Sequence, residues 1–211
     1  MAGDTAPVLQ VISGDLWAGA EAQCFHLCAA LTRAGQAVEA VLFNEGELAS
    51  RLRGLGLPVQ VWDENRLGTV ALVQRARALI GTRPLRLIHA HGRKESTVFG
   101  AANLSRGRPL RLINTVHGGK EHSEPWWRLK KQATRLAGHA TTRLLVDHRV
   151  AVSAGLERAL LEEAGRHRVS LIENAVDPVA VRASASEGGA PFEQTPALEL
   201  AMVARAVPLK R

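Results

Sequence analysis

Tyrosine is absent from this 211-residue chain, and aromatic residues of all kinds make up only 4% of it. Proteins that hold single-stranded nucleic acid stack bases on several spaced aromatic rings, so the composition argues against that class. Cysteine is nearly absent too. Cys24 and Cys28 are four residues apart, a spacing that puts both on one helix face, which leaves no disulfide framework and fits a reducing, cytosolic compartment. Long apolar runs are missing. The longest stretch without a charged residue, Ala22 to Thr32, has eleven residues, against about 20 for a membrane-spanning helix. Met1 to Pro7 carries an acid, no basic side chain and no apolar core, so a secretory signal is not expected. No internal repeat is visible, and the three spaced glycines of a dinucleotide-binding loop are lacking.

What is present is an ordinary globular composition, 46% hydrophobic and 22% charged, with a net charge of +7. The positive charge is mostly arginine, 22 Arg against 5 Lys. Arg forks bind phosphate and carboxylate in pairs, so a polyanionic partner is one explanation. A GC-rich coding sequence is the other.

Apolar spacing predicts strands over Val8–Ile12, Val38–Phe43, Pro58–Trp62, Arg86–Ala90, Leu110–Val116, Arg149–Val152 and Val169–Ile172. Between them it predicts helices from Ala20 to Ala34, with Ala20, Cys24, Leu27, Leu31 and Ala34 on the apolar face, and over Glu45–Leu55, Leu67–Ile80, Glu95–Leu104, Pro125–Gly138 and Ala154–Ala164. Regular β-α alternation with short connections implies an α/β fold, a doubly wound, mainly parallel, Rossmann-like sheet. Residues 182–197 are rich in Ala, Ser, Gly, Glu and Pro and read as a linker after a first domain over 1–181. Residues 198–203 then read as the first strand of a second domain over 198–211, begun and not completed.

In open parallel sheets, ligands bind at the carboxyl ends of the strands. The first strand is followed by Ser13-Gly-Asp15 and Trp17-Ala-Gly19, where a glycine and a helix start can approach an anion such as phosphate. The fourth ends in His89-Ala-His91-Gly92, and alternation puts both imidazoles on one side. The pair lacks a third ligand at metal spacing, so hydrogen-bond or acid–base duty at a sugar or phosphate is preferred over metal binding. Of the two, His89 is expected to be a satisfied core histidine and His91 the functional one. The fifth strand ends in His117-Gly118-Gly119, a second imidazole beside glycine. Further on, Trp126, Trp127, Leu129 and Ala133 sit among Arg128, Lys130, Lys131 and Arg135. That pattern suits either an anionic membrane surface or a solvated helix with its Trp residues anchored in the core.

Taken in order, Trp17-Ala-Gly-Ala-Glu21, His89-Ala-His-Gly92, Thr115-Val-His-Gly118, Val150-Ala-Val-Ser153, Ile172-Glu-Asn-Ala-Val-Asp177 and Met202 to Lys210 resemble glycosyltransferase family 4. The resemblance is to the N-terminal domain of its two-domain GT-B fold, running over residues 8–211. It implies a retaining transferase that moves a hexose from a UDP- or GDP-sugar to a sugar or lipid-linked acceptor, with no metal and no separate cofactor. Carried over by position, Gly19 approaches the donor phosphate and the reacting sugar, and His117 contacts the transferred sugar. Asp15 and His91 meet acceptor hydroxyls, and Arg205 and Lys210 hold the donor diphosphate. The sequence departs from the family in having Ala18 before Gly19, Ala175 after Asn174 and Ala204 before Arg205. The family's two Glu separated by seven residues are matched in spacing only by Glu39 and Glu47, in the wrong half, and that match reads as coincidence.

The resemblance therefore implies an acceptor-side half with little turnover alone; the cysteine usage adds a cytoplasmic location, and the basic Trp pattern of residues 126–135 a peripheral contact with the inner face of a membrane. The alternative is a non-catalytic acceptor-binding or anchoring subunit that partners a separate donor domain. A nucleic-acid partner is suggested by charge alone, and a nucleotide-sugar epimerase shares the two-domain plan.

Overall fold

A strand covered on both faces needs no alternation of polar and apolar residues, and β1 (Val8–Ile12) has none: all five of its residues are buried. The computed structural model describes residues 6–107, 109–118, 144–164, 168–176, 178–179 and 182. Around β1 it places β2 (Val38–Leu42), β3 (Val59–Val61), β4 (Leu87–Ala90), β5 (Arg111–Val116), β6 (His148–Ala151) and β7 (Val169–Leu171). The helices are α1 (Gly19–Arg33), α2 (Glu47–Gly54), α3 (Thr69–Thr82), α4 (Arg93–Asn103) and α5 (Ala154–Ala164). The sheet runs β3-β2-β1-β4-β5-β6-β7 with every neighbouring pair parallel. This is the Rossmann-like α/β sheet that the β-α alternation predicts.

Each face of the sheet has its own core. Leu9 and Val11 point to a cluster with Leu72 and Ile80 of α3 and Val98 and Phe99 of α4, where Trp62 stacks on Phe99 with ring centroids 5.7 Å apart. Ile12 points the other way, to Cys24 and Cys28 of α1 and Leu48 and Leu52 of α2. The fully buried residues of α1 are Glu21, Cys24 and Cys28; of the predicted face Cys24 is buried, Ala20 and Leu31 pack partly buried against this core, and Ala34 is exposed.

Boundaries moved where glycine takes the cap. The helix predicted from Glu45 begins at Glu47, since Gly46 is extended, and the one predicted from Glu95 begins at Arg93, just after Gly92. The chain divides into two compact units, residues 1–175 and 176–211. The predicted helix Pro125–Gly138, the linker 182–197 apart from Arg182, and the strand 198–203 lie outside the described residues.

Candidate active site at the carboxyl edge of the sheet

Strand order reverses between β1 and β4, which puts the crevice expected of such folds at their carboxyl ends. Register decides what faces it. Gln10 of β1 pairs with His89 of β4, and His89 with Ile113 of β5. Alternation then puts Gln10, His89, His91, Thr115 and His117 on one sheet face, the face that carries Ile12 and α1.

Those side chains bond to one another. His91 lies between two partners, with Nε2 2.8 Å from Gln10 Oε1 and Nδ1 3.1 Å from His117 Nε2. His89 makes a separate bond, Nε2 to Thr115 Oγ1 at 2.8 Å. The rings of His89 and His91 are 4.4 Å apart and those of His91 and His117 5.4 Å. The sequence suggests that His89 is a satisfied, partly buried core histidine, as its bond to Thr115 and its half-burial show, and that His91, nearer the loop, is not a core residue. The structure makes His91 the more buried, because it is wedged between Gln10 and His117.

Burial governs the charge state of the trio. It lowers His89 to about 4, with His117 adding to the effect. It takes His91 well below the ordinary imidazole value, helped by His89 and His117, and it lowers His117 as well. At neutral pH the three are neutral hydrogen-bonding groups, not cations.

Gly14, Asp15 and Gly19 lie on the loop from β1 to α1. Gly14 is the constrained one: its φ is +76°, and a Cβ there would stand 2.7 Å from Leu42 Cδ2. Around Gly19, the first residue of α1, a Cβ would meet nothing within 4 Å. Packing therefore places no demand for glycine at position 19. Asp15 is exposed and accepts from Ser13 Oγ at 3.3 Å. The N-caps of α1 to α4 are Ala18, Gly46, Gly68 and Gly92, and none makes a side-chain capping bond. The first-turn N–H groups of all four helices are thus left to other partners.

Next to this loop is a polar chain that sequence reading missed. Asn44 Nδ2 donates to Ser13 Oγ at 3.1 Å and to Glu64 Oε1 at 2.9 Å, and Lys94 forms an ion pair with Glu64. Beside it Glu95 is buried, and a Cβ on Gly92 would run into its carboxylate. Burial raises the Glu95 carboxyl to about 7. A bond from its own backbone N–H opposes this, Glu64 adds to it, Lys94 opposes it and Asp15 adds to it. Nothing in its local sequence, a glutamate in the first turn of a helix, distinguishes it from a solvated residue.

Gln23 of α1 is a second residue the sequence did not single out. Its Nε2 donates to Ala175 O at 3.0 Å, and its Oε1 accepts from Ala175 N at 3.3 Å. No non-glycine residue among those described has a positive φ, so Ala175 does not make the left-handed turn of an Asn-Gly pair. Glu39 and Glu47 pair with Arg83 at 3.0 Å and Arg51 at 2.6 Å, two unrelated surface contacts. Arg205, Lys210 and the basic Trp segment 126–135 lie outside the described residues. Among the described residues no group of three His, Cys, Asp or Glu is placed to hold a metal ion, and no helix is long and apolar enough to cross a membrane. A hollow of about 360 Å³ between Pro7, Gln36, Glu39 and Pro58 lies at the amino edge of the sheet, away from the imidazoles.

None of the curated proteins matches this sequence significantly. Solved structures do match its fold. Anabaena HepE, crystallised with UDP and glucose, superposes with a TM-score of 0.62 at 19% identity, over 86% of this chain and 50% of its own. The lipopolysaccharide outer core galactosyltransferase WaaB gives 0.61 at 13% identity, over 81% and 46%. The UDP-N-acetylglucosamine 2-epimerase of Rickettsia bellii gives 0.54 at 9% identity, over 87% and 47%. The chain thus spans about half the length of these proteins, and transferases share its architecture with an epimerase, so the sheet alone does not decide the chemistry. The family is shown by sequence: the model of Glycosyltransferase Family 4 matches residues 17–179, and the chain belongs to that family.

Proposed function

We propose that this chain supplies the acceptor-side half of a retaining hexosyltransferase that uses a UDP- or GDP-sugar and a sugar or lipid-linked acceptor. On this reading it turns over only together with a donor-binding half, whether that half is covalently continuous or separate. The observation that carries the proposal is the His91–His117 pair at the tips of β4 and β5, facing the crevice beside the β1–α1 loop in a member of this family.

The roles follow from the chemistry. Departure of the nucleoside diphosphate builds negative charge that fixed cations and helix-start N–H groups stabilise. Neutral imidazoles cannot neutralise it; the family resemblance gives that task to Arg205 and Lys210, and on this reading the open start of α1 at Gly19 offers backbone N–H groups to the phosphate. His117 holds a hydroxyl of the transferred sugar. Asp15, beside the Asn44–Glu64–Lys94 chain, belongs to the acceptor side, and His91, whose two ring nitrogens are taken by Gln10 and His117, serves the site through His117. Residues 126–135 supply peripheral contact with the cytoplasmic face of a membrane. UDP and glucose in the HepE crystal accord with this choice of donor.

The test is a chimera of residues 1–176 with the donor-binding half of a family-4 enzyme, assayed for transfer and donor hydrolysis over a panel of UDP- and GDP-sugars. Turnover is expected, and His117→Ala should lower it by about 100-fold or more, the scale of losing one positioned group at a reaction centre, with unchanged circular dichroism. A folded chimera inert toward every donor, or a His117→Ala chimera as fast as its parent, overturns the proposal.

A further inference from the structure

Among the described residues two buried side-chain polar atoms lack a hydrogen-bond partner, Gln10 Nε2 and His117 Nδ1. They are the two ends of one chain, Gln10–His91–His117, whose links are 2.8 and 3.1 Å. Its direction follows from valence. The Gln10 Oε1 that meets His91 has no proton to give, so His91 Nε2 carries the hydrogen and donates it. A neutral imidazole has one N–H, which leaves His91 Nδ1 bare and able only to accept. The hydrogen in the second link therefore belongs to His117 Nε2, and His117 Nδ1 is bare in turn.

We propose that Gln10 is a positioning residue that sets the tautomers of His91 and His117, so that His117 offers an unprotonated Nδ1 to a hydroxyl donor on the bound sugar. A ligand oxygen that can only accept, such as a phosphate or carboxylate oxyanion, is not held at that nitrogen. The chain needs both imidazoles neutral, since an imidazolium would donate from both nitrogens and erase the direction. Burial keeps them so. His89 stands outside it, engaged with Thr115. The ligand part of this inference rests on the proposed role of His117 at the transferred sugar; the tautomer part does not.

The experiment is long-range proton–nitrogen NMR of the imidazoles in the full chain, labelled with nitrogen-15 at pH 7.5, with signals assigned by their loss in His91→Asn and His117→Asn. His91 and His117 are expected in the Nε2–H form. In Gln10→Met, which keeps the side-chain length and removes the acceptor, both should shift to a mixture of tautomers while the His89 signals stay in place. Wild-type His117 protonated on Nδ1 overturns the proposal, as does a Gln10→Met spectrum with tautomers unmoved. If Gln10→Met fails to fold, the wild-type spectrum still decides. The spectra need no sugar and no turnover, so this proposal and the transferase reading fail separately. Should the tautomers hold, a panel of methyl glycosides should shift His117 Nδ1 while inorganic phosphate leaves it unmoved; a shift with phosphate alone overturns the ligand part.

Discussion

Replacing Glu95 with Gln should stabilise this protein at neutral and alkaline pH, and only weakly at pH 5. The carboxyl is 5% exposed and burial lifts it from 4.5 to about 7. The folded chain therefore holds this proton more tightly than the unfolded chain does. Stability linked to Glu95 is complete below pH 4.5 and is lost as pH rises through about 7. At 1.36 kcal/mol per tenfold, the gap amounts to about 3 kcal/mol at pH 8.5. Gln keeps the size of the side chain and removes the charge, so urea unfolding at pH 8.5 should show Glu95→Gln more stable by about 3 kcal/mol. At pH 5 the same comparison should shrink to about 1 kcal/mol or less. The difference between the two proteins cancels the histidines, which titrate in both. A constant difference across this range, or a variant less stable at pH 8.5, would refute the reasoning and mean that the carboxylate is solvated. A carboxyl that weakens the fold yet faces Gly92 and senses Asp15 fits service to a ligand better than service to the scaffold.

Two further outcomes follow from the same edge. His89, lowered from 6.5 to about 4, makes the opposite contribution: its stability is complete above pH 6.5 and is lost as pH falls toward 4. Between pH 7.5 and 5 the wild type should lose about 2 kcal/mol more than His89→Gln, and equal losses in urea titrations would exclude a buried neutral imidazole. Gly14→Ala should cost about 1–2 kcal/mol or more for its left-handed backbone and its approach to Leu42, whereas Gly19→Ala should stay within about 1 kcal/mol of wild type while slowing transfer in the chimera. Equal destabilisation by the two would show that Gly19 serves the fold.

Strand and helix types from Val8 to Val116 were legible because each rests on local periodicity; the strand order was not, since a parallel alternation is compatible with more than one doubly wound order. Side-chain environment was less legible. His91 is buried because β1 and β4 pair side by side, which brings Gln10 across 81 residues of sequence to its Nε2. Periodicity along one strand says only which face His91 takes. The polar chain through Asn44, Glu64 and Lys94 joins the tips of β2, β3 and β4, and none of the three is notable in its own segment. Gly19 drew attention because it opens a helix, yet Gly14 is the glycine the backbone requires. A positive φ leaves no mark on sequence that separates it from a glycine chosen for open space.

The bare helix starts along the carboxyl edge limit how this domain can be made more robust. Installing Ser or Asp as a cap is a standard route to thermostability, worth about 1 kcal/mol per helix. At position 46 any side chain would strike the carbonyl oxygen of Gly14, and at position 92 the carboxylate of Glu95. At position 68 a Cβ meets nothing within 4 Å. An engineer would find position 46 closed by backbone and position 92 open only if the Glu95 carboxylate gives way, while the cap position of α1, Ala18, immediately precedes Gly19.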